Sequence, residues 1–119
     1  IDSTYFSIIQ DGMEMAVWGA DGGTARGAQV PDVRVCGKTG TAQNPHGKDH
    51  SIFMAFAPKE NPEIAISVYV ENAGFGGTWA APIASLMIEK FVKGEIDYTP
   101  QRKWTEQRIL EARFNDDKQ

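Results

Sequence analysis

The residues with the most chemistry in the smallest space are Gly37-Lys38-Thr39-Gly40-Thr41, where one cation, two hydroxyls and two glycines share five positions. The flanking run Val33-Arg34-Val35-Cys36 and the β-branched threonines favour an extended backbone over a helix. In a strand, alternation puts Thr39 and Thr41 on one face and Lys38 on the other. Glycines in such a run mark close backbone approach, so Gly37 and Gly40 would let another main chain or a ligand lie against the strand. Gly37-Lys38-Thr39 also ends like a phosphate-binding loop. That signature needs a glycine where Asp32 stands, and a helix opening where Gly40 and the polar run from Gln43 to Asp49 forbid one. A nucleotide site is excluded on both counts.

The same Lys-Thr-Gly box belongs to penicillin-binding proteins and serine β-lactamases, beside Ser-x-x-Lys and Ser-x-Asn or Ser-Asp-Asn. Further matches flank it here: Gly22-Gly23-Thr24-Ala25-Arg26 before it, Ala42-Gln43-Asn44 directly after it, then Asp49-His50-Ser51, Phe56-Ala57-Pro58, Gly76-Gly77 and Ala80-Ala81-Pro82-Ile83. In this order and spacing the chain resembles the C-terminal part of the class B penicillin-binding proteins, with the penicillin-binding protein 2 branch the most similar. The resemblance covers about residues 1–94 and leaves 95–119 as a C-terminal helical or partly disordered tail.

The resemblance implies a partial β-lactamase/transpeptidase-like fold and a serine D,D-transpeptidase that cross-links peptidoglycan stem peptides. It makes Lys38 and Thr41 catalytic: Lys38 supports proton transfer and attracts the substrate carboxylate, and the Thr41 N–H supplies half of the oxyanion hole. It makes Thr39, Gly40 and Thr41 the substrate-binding residues, with the two hydroxyls on the carboxylate and Gly40 giving the acyl donor room to lie along the strand. The implied partners are stem peptides, β-lactams and a glycan polymerase of the elongation machinery, at the extracytoplasmic (periplasmic) face of the cytoplasmic membrane. No cofactor is implied.

One departure limits what this segment does alone. Its serines are Ser3, Ser7, Ser51, Ser67 and Ser85, and none has lysine three residues later or asparagine two residues later. The nucleophile is therefore expected upstream of Ile1, and the opening Ile1-Asp2-Ser3-Thr4 reads as the interior of a longer sequence. The isolated segment is expected not to acylate with penicillin. A reading of another class stays open beside this one: a non-catalytic peptide-binding module that captures an extended peptide on an open edge strand.

The rest of the chain must position that strand. It has 119 residues and a net charge of -4, enough for one modest core and the wrong balance for a nucleic-acid face. No run of 18 apolar residues marks a transmembrane helix. The single cysteine, Cys36, reads as a small buried hydrophobe. Asp49 with His46 and His50 does not define a metal coordination sphere, so no metal site is expected. Arg26 reads as a surface or turn-bracing residue.

The pattern predicts an α+β chain, an antiparallel sheet with packed helices. Ser3 or Thr4 caps a helix ending at Gly19, and two strands follow the box, Ser51 to Pro58 and Ile64 to Val70, in a meander. The first of these is nearly continuous apolar sequence, as in a central strand covered on both faces. Gly74-Phe75-Gly76-Gly77 reads as a flexible connection. A helix capped by Thr78 follows, with Trp79, Ile83, Leu86, Met87 and Phe91 as its buried stripe opposite Ser85, Glu89 and Lys93, until Gly94 stops it. Thr99-Pro100 starts a last helix running to about Phe114, loosely docked or an interaction segment. Asn115 to Gln119 is expected to be disordered.

Overall fold

A computed structural model describes residues 2–114, so the disorder expected of Asn115 to Gln119 lies outside the described residues. Three helices and three strands run in the order α1 (Ser3–Trp18), β1 (Cys36–Ala42), β2 (His50–Ala57), β3 (Ile64–Val70), α2 (Ala80–Lys93) and α3 (Pro100–Glu111). The strands form one antiparallel meander, β1-β2-β3, as the alternating pattern predicts. The register pairs Thr39 with Phe53 and Gly40 with Ile52, and Phe53 in turn with Val68.

Period two then decides what each face carries. Gly37, Thr39 and Thr41 share a face with Ser51, Phe53 and Ala55, and with Ile66, Val68 and Val70. This face holds the core: Phe53 is fully buried and packs with Ala55, Ala57, Ala81, Ala84 and Ile88. Gly37 is glycine because of it, since a Cβ there would lie 2.3 Å from the tip of the Phe53 ring. The opposite face corrects an expectation: β2 is not covered on both sides. Met54 remains 53% exposed and its neighbour Tyr69 on β3 54% exposed, because α2 lies against the Phe53 face only.

The first helix is capped one residue earlier than expected. The Asp2 carboxylate accepts from the Thr4 N–H at 2.8 Å, which places Ser3 and Thr4 inside the first turn. Gly19 ends the helix with its N–H on Met15 O. Only the C-terminal end of α1 packs inward, through Ala16 and Val17; Tyr5, Phe6, Ile8 and Ile9 are exposed.

The second helix departs from its expected faces at four positions; Lys93 is exposed and Trp79, Ile83 and Leu86 are half-buried as the pattern predicts. Ser85 and Glu89 are fully buried, whereas Met87 and Phe91 are exposed and border an apolar groove with Leu86, Ile64, Ile96 and Leu110. The cause is Arg102 on α3. Its guanidinium donates to Glu89 Oε1 from Nε at 2.9 Å and Nη2 at 2.6 Å, to Ser85 Oγ at 2.6 Å and to Ser85 O at 3.3 Å. Ser85 Oγ donates its own proton to Gln29 O at 2.8 Å. A buried carboxylate and hydroxyl are thus fully partnered, which is the condition for placing them inside. Trp79, not Thr78, stands at the helix start, and no side chain caps it; Gly94 closes the helix with φ of 82°.

Consequently the tail is not loosely docked. Thr99 caps α3 by accepting from the Arg102 N–H, and Pro100 occupies its first turn as the sequence predicts. The helix stops at Glu111, three residues short of Phe114, where Ala112 turns extended. Arg108 lies over the Trp79 ring at 4.1 Å and near the Trp104 ring at 5.6 Å, and donates to Thr78 O. Phe114 meets Trp79 edge-on at 4.9 Å.

Ion pairs tie α1 to the base of the sheet. Glu14 accepts from Arg34 at 2.6 Å and from Lys59 at 3.1 Å, and Lys59 also pairs with Asp11. The hydrogen bond from Arg34 holds the Glu14 carboxyl below its usual value of 4.5, with Lys59 adding to the effect. A lowered folded value means that this contribution is complete above pH 4.5 and disappears as pH falls through the lowered value. Thermal unfolding between pH 7 and pH 3 is expected to show a stability loss concentrated at the acid end, and Glu14→Gln should flatten it. An unchanged acid limb in that variant would exclude Glu14 as its source.

Candidate functional site

The candidate site is the outer edge of the sheet. β1 has β2 on one side and no strand on the other among the described residues, so half of its backbone polar groups face outward. Lys38 and Thr41 are exposed, while Thr39 and Gly40 are half-buried. Lys38 Nζ donates to Thr39 O at 2.7 Å. Gly40 shares the open face with Lys38, and a Cβ built on it would meet only Ile52, at an ordinary 3.6 Å. Packing therefore explains the glycine at 37 and does not explain the one at 40.

The connection from Asn72 to Thr78 is a buttress rather than a flexible link. Gly76 lies against the backbone where Gly40 pairs with Ile52: a Cβ on it would fall 2.1 Å from Ile52 O and 2.7 Å from Gly40 O. A Cβ on Gly77 would likewise collide with Thr24, falling 2.4 Å from its carbonyl oxygen. Ser51 Oγ holds the segment by donating to Phe75 O at 2.9 Å and accepting from Ala80 N at 3.1 Å. Gly76→Ala should lower stability by about 1–3 kcal/mol, the usual range for overpacking. Hydrogen exchange across β1 should rise with it; protection equal to the parent's would show that the segment does not hold the strand.

Thr24, to which the sequence alone assigns no role, reaches the box directly. Thr39 Oγ1 donates to Thr24 Oγ1 at 3.2 Å. The available signal was the Gly22-Gly23-Thr24-Ala25-Arg26 run itself. Arg26, in a short 3-10 turn (Arg26–Ala28), makes one long contact to Ala20 O at 3.5 Å, consistent with turn bracing. Asp49 Oδ1 accepts from Asn44 N, and His50 Nδ1 accepts from Asn72 N while its ring lies 5.3 Å from Tyr69. These groups organise the loop beside the site. Cys36 is buried at the start of β1, and burial pushes its thiol above the usual value, so it packs as a small hydrophobe there.

Lys38-Thr39-Gly40-Thr41 thus stand on an open edge strand, with α2 packed behind the sheet. The penicillin binding protein transpeptidase domain matches residues 1–89, and the chain belongs to that family. Peptidoglycan D,D-transpeptidase PbpA of Mycobacterium tuberculosis is 40% identical over 77 residues, covering 56% of this chain and 15% of the relative. Pseudomonas aeruginosa PBP2, solved with WCK 5153, superposes with a TM-score of 0.67 at 35% identity over 81% of this chain and 21% of that one. Penicillin-binding protein A from M. tuberculosis, solved as a ceftriaxone acyl-enzyme, gives 0.65 at 30% identity over 77% of this chain and 22% of that one. The chain thus spans about one seventh to one fifth of these three relatives. No helix among the described residues is long and apolar enough to cross a membrane.

Proposed function

We propose that this chain is the C-terminal recognition part of a peptidoglycan D,D-transpeptidase, residues 1–94 forming the end of the catalytic domain and residues 95–119 a C-terminal tail that packs against it through α3. The observation that carries the reading is Gly40: it sits on an open edge beside Lys38, and no packing within the described chain requires a glycine there. An extended donor peptide running antiparallel to β1 would use that room.

The nucleophile comes from another part of the polypeptide. Its serine oxygen attacks the penultimate D-alanyl carbonyl, the terminal D-alanine leaves as the amine with a proton, and the amine of a neighbouring stem then displaces the serine. In a β-lactam the ring amide is the bond that opens, and the leaving nitrogen stays attached. Lys38 supports proton movement at this centre and, with the Thr39 and Thr41 hydroxyls, receives the carboxylate. Thr39 O accepts from Lys38, which supports Thr39 facing the open edge; period two then turns the Thr41 N–H the same way, toward the developing oxyanion. Work at the extracytoplasmic membrane face beside an elongation-machinery glycan polymerase belongs to the same proposal.

Labelling the native full-length polypeptide with a fluorescent penicillin tests it. The expected result is one adduct, on a serine outside this segment. Absence of any adduct, or an adduct on Ser3, Ser7, Ser51, Ser67 or Ser85, would overturn the proposal. Binding of a stem peptide without acylation would favour the non-catalytic edge-strand module.

A further inference from the structure

We propose that Thr24 is a positioning residue for carboxylate recognition, acting through Thr39. The inference rests on the reading of Thr39 as a carboxylate ligand and adds a residue to it.

The starting point is proton supply. A threonine hydroxyl has one proton and two lone pairs. Across the 3.2 Å between the two hydroxyls either oxygen can donate, and Thr39 is the donor in this arrangement. A carboxylate only accepts, so binding it requires Thr39 to redirect that proton outward. The pair can survive this without moving a heavy atom, because Thr24 then donates its own proton to Thr39 Oγ1. The result is a short relay, Thr24 O–H to Thr39 O–H to carboxylate, in which each bond polarises the next. Without a donor at position 24, Thr39 Oγ1 would have only solvent to bond.

The backbone around Thr24 is built to hold this hydroxyl in place. Gly23 is wedged against the last turn of α1, where a Cβ would lie 2.1 Å from Ala16 O. Ala25 N donates to that same carbonyl at 2.9 Å, fixing the residue on the other side. Gly77 leaves no room beside the Thr24 carbonyl, since a Cβ there would lie 2.4 Å from Thr24 O and would reach the Thr39 methyl at 3.9 Å. Both members of the pair are β-branched, which restricts the side-chain torsion that aims each oxygen. Thus the tight turn from Gly22 to Ala25 delivers one donor to one residue of the box.

The test uses the native full-length polypeptide and two ligands, a β-lactam with a free carboxylate and its methyl ester. Thr24→Val removes the hydroxyl and keeps the shape; Thr24→Ser keeps the hydroxyl. Thr24→Val is expected to lower the second-order acylation constant for the acid about fivefold, the scale of one neutral hydrogen bond. Thr24→Ser should restore it, and the ester should react alike with all three proteins. In a double-variant cycle Thr24→Val should add little to Thr39→Val. If Thr39→Val is impaired on the acid and Thr24→Val is not, the inference fails while the role of Thr39 stands. Equal loss on acid and ester would mean a structural effect and also overturn it. A silent Thr39→Val removes the reading beneath it. Should Thr24→Val not fold, Thr24→Ala on the same ligand pair separates the same outcomes.

Discussion

Arg102→Met is expected to lower the stability of the protein by about 3–5 kcal/mol, the range seen when one member of a buried ion pair is removed. Arg102 is 7% exposed and Glu89 is fully buried, so the carboxylate left behind has little access to water. Its remaining partners are weak, Lys93 Nζ at 3.7 Å and the Asp97 N–H at 3.3 Å. The guanidinium also donates to Ser85 Oγ and Ser85 O, and these two bonds would be lost with it. Most of the loss comes from the orphaned charge and not from the missing contact, so adding Glu89→Gln should recover much of it. Urea unfolding of the two variants checks this. A loss under about 1 kcal/mol for Arg102→Met would mean that α3 docks independently of the buried pair.

The four misplaced positions on α2 show where a sequence reading reaches its limit. Hydrophobic spacing assigns Met87 and Phe91 to the core and Ser85 and Glu89 to solvent. The structure does the reverse because the residue that makes Glu89 tolerable inside stands 13 positions later on another helix. No periodicity within α2 carries that information. The strands were readable for the opposite reason: alternating Ile64, Ile66, Val68 and Val70 encode their own buried face, and the short polar connections allow little besides a meander.

The box likewise carried its own signal, since cation, hydroxyl and glycine types are local. Its supports were not local. Gly76 and Gly77 look like slack in a sequence, and only the sheet shows that Ile52 O and Thr24 O leave no space for a side chain. Thr24 is 15 residues from Thr39 and meets it because the turn after α1 folds back along β1.

Lys38→Ala is expected to reduce acylation of the native polypeptide by about a hundredfold or more, the lower end of what a positioned proton-transfer group contributes. The same variant should leave stability within about 0.5 kcal/mol of the parent, as for other exposed substitutions. The structure motivates both halves. Lys38 is exposed on β1 and its ammonium rests on Thr39 O, an interaction a carboxylate or a neighbouring serine can take over by rotation of the flexible stem. Lys38→Arg keeps the charge but replaces a compact ammonium with a planar fork, so it should recover carboxylate attraction more than proton transfer. Acylation kinetics at saturating and limiting β-lactam separate the two. If Lys38→Ala weakens only the concentration dependence, Lys38 acts through ligand attraction alone. If it changes neither quantity, β1 is a structural strand and the transpeptidase roles assigned along it are wrong.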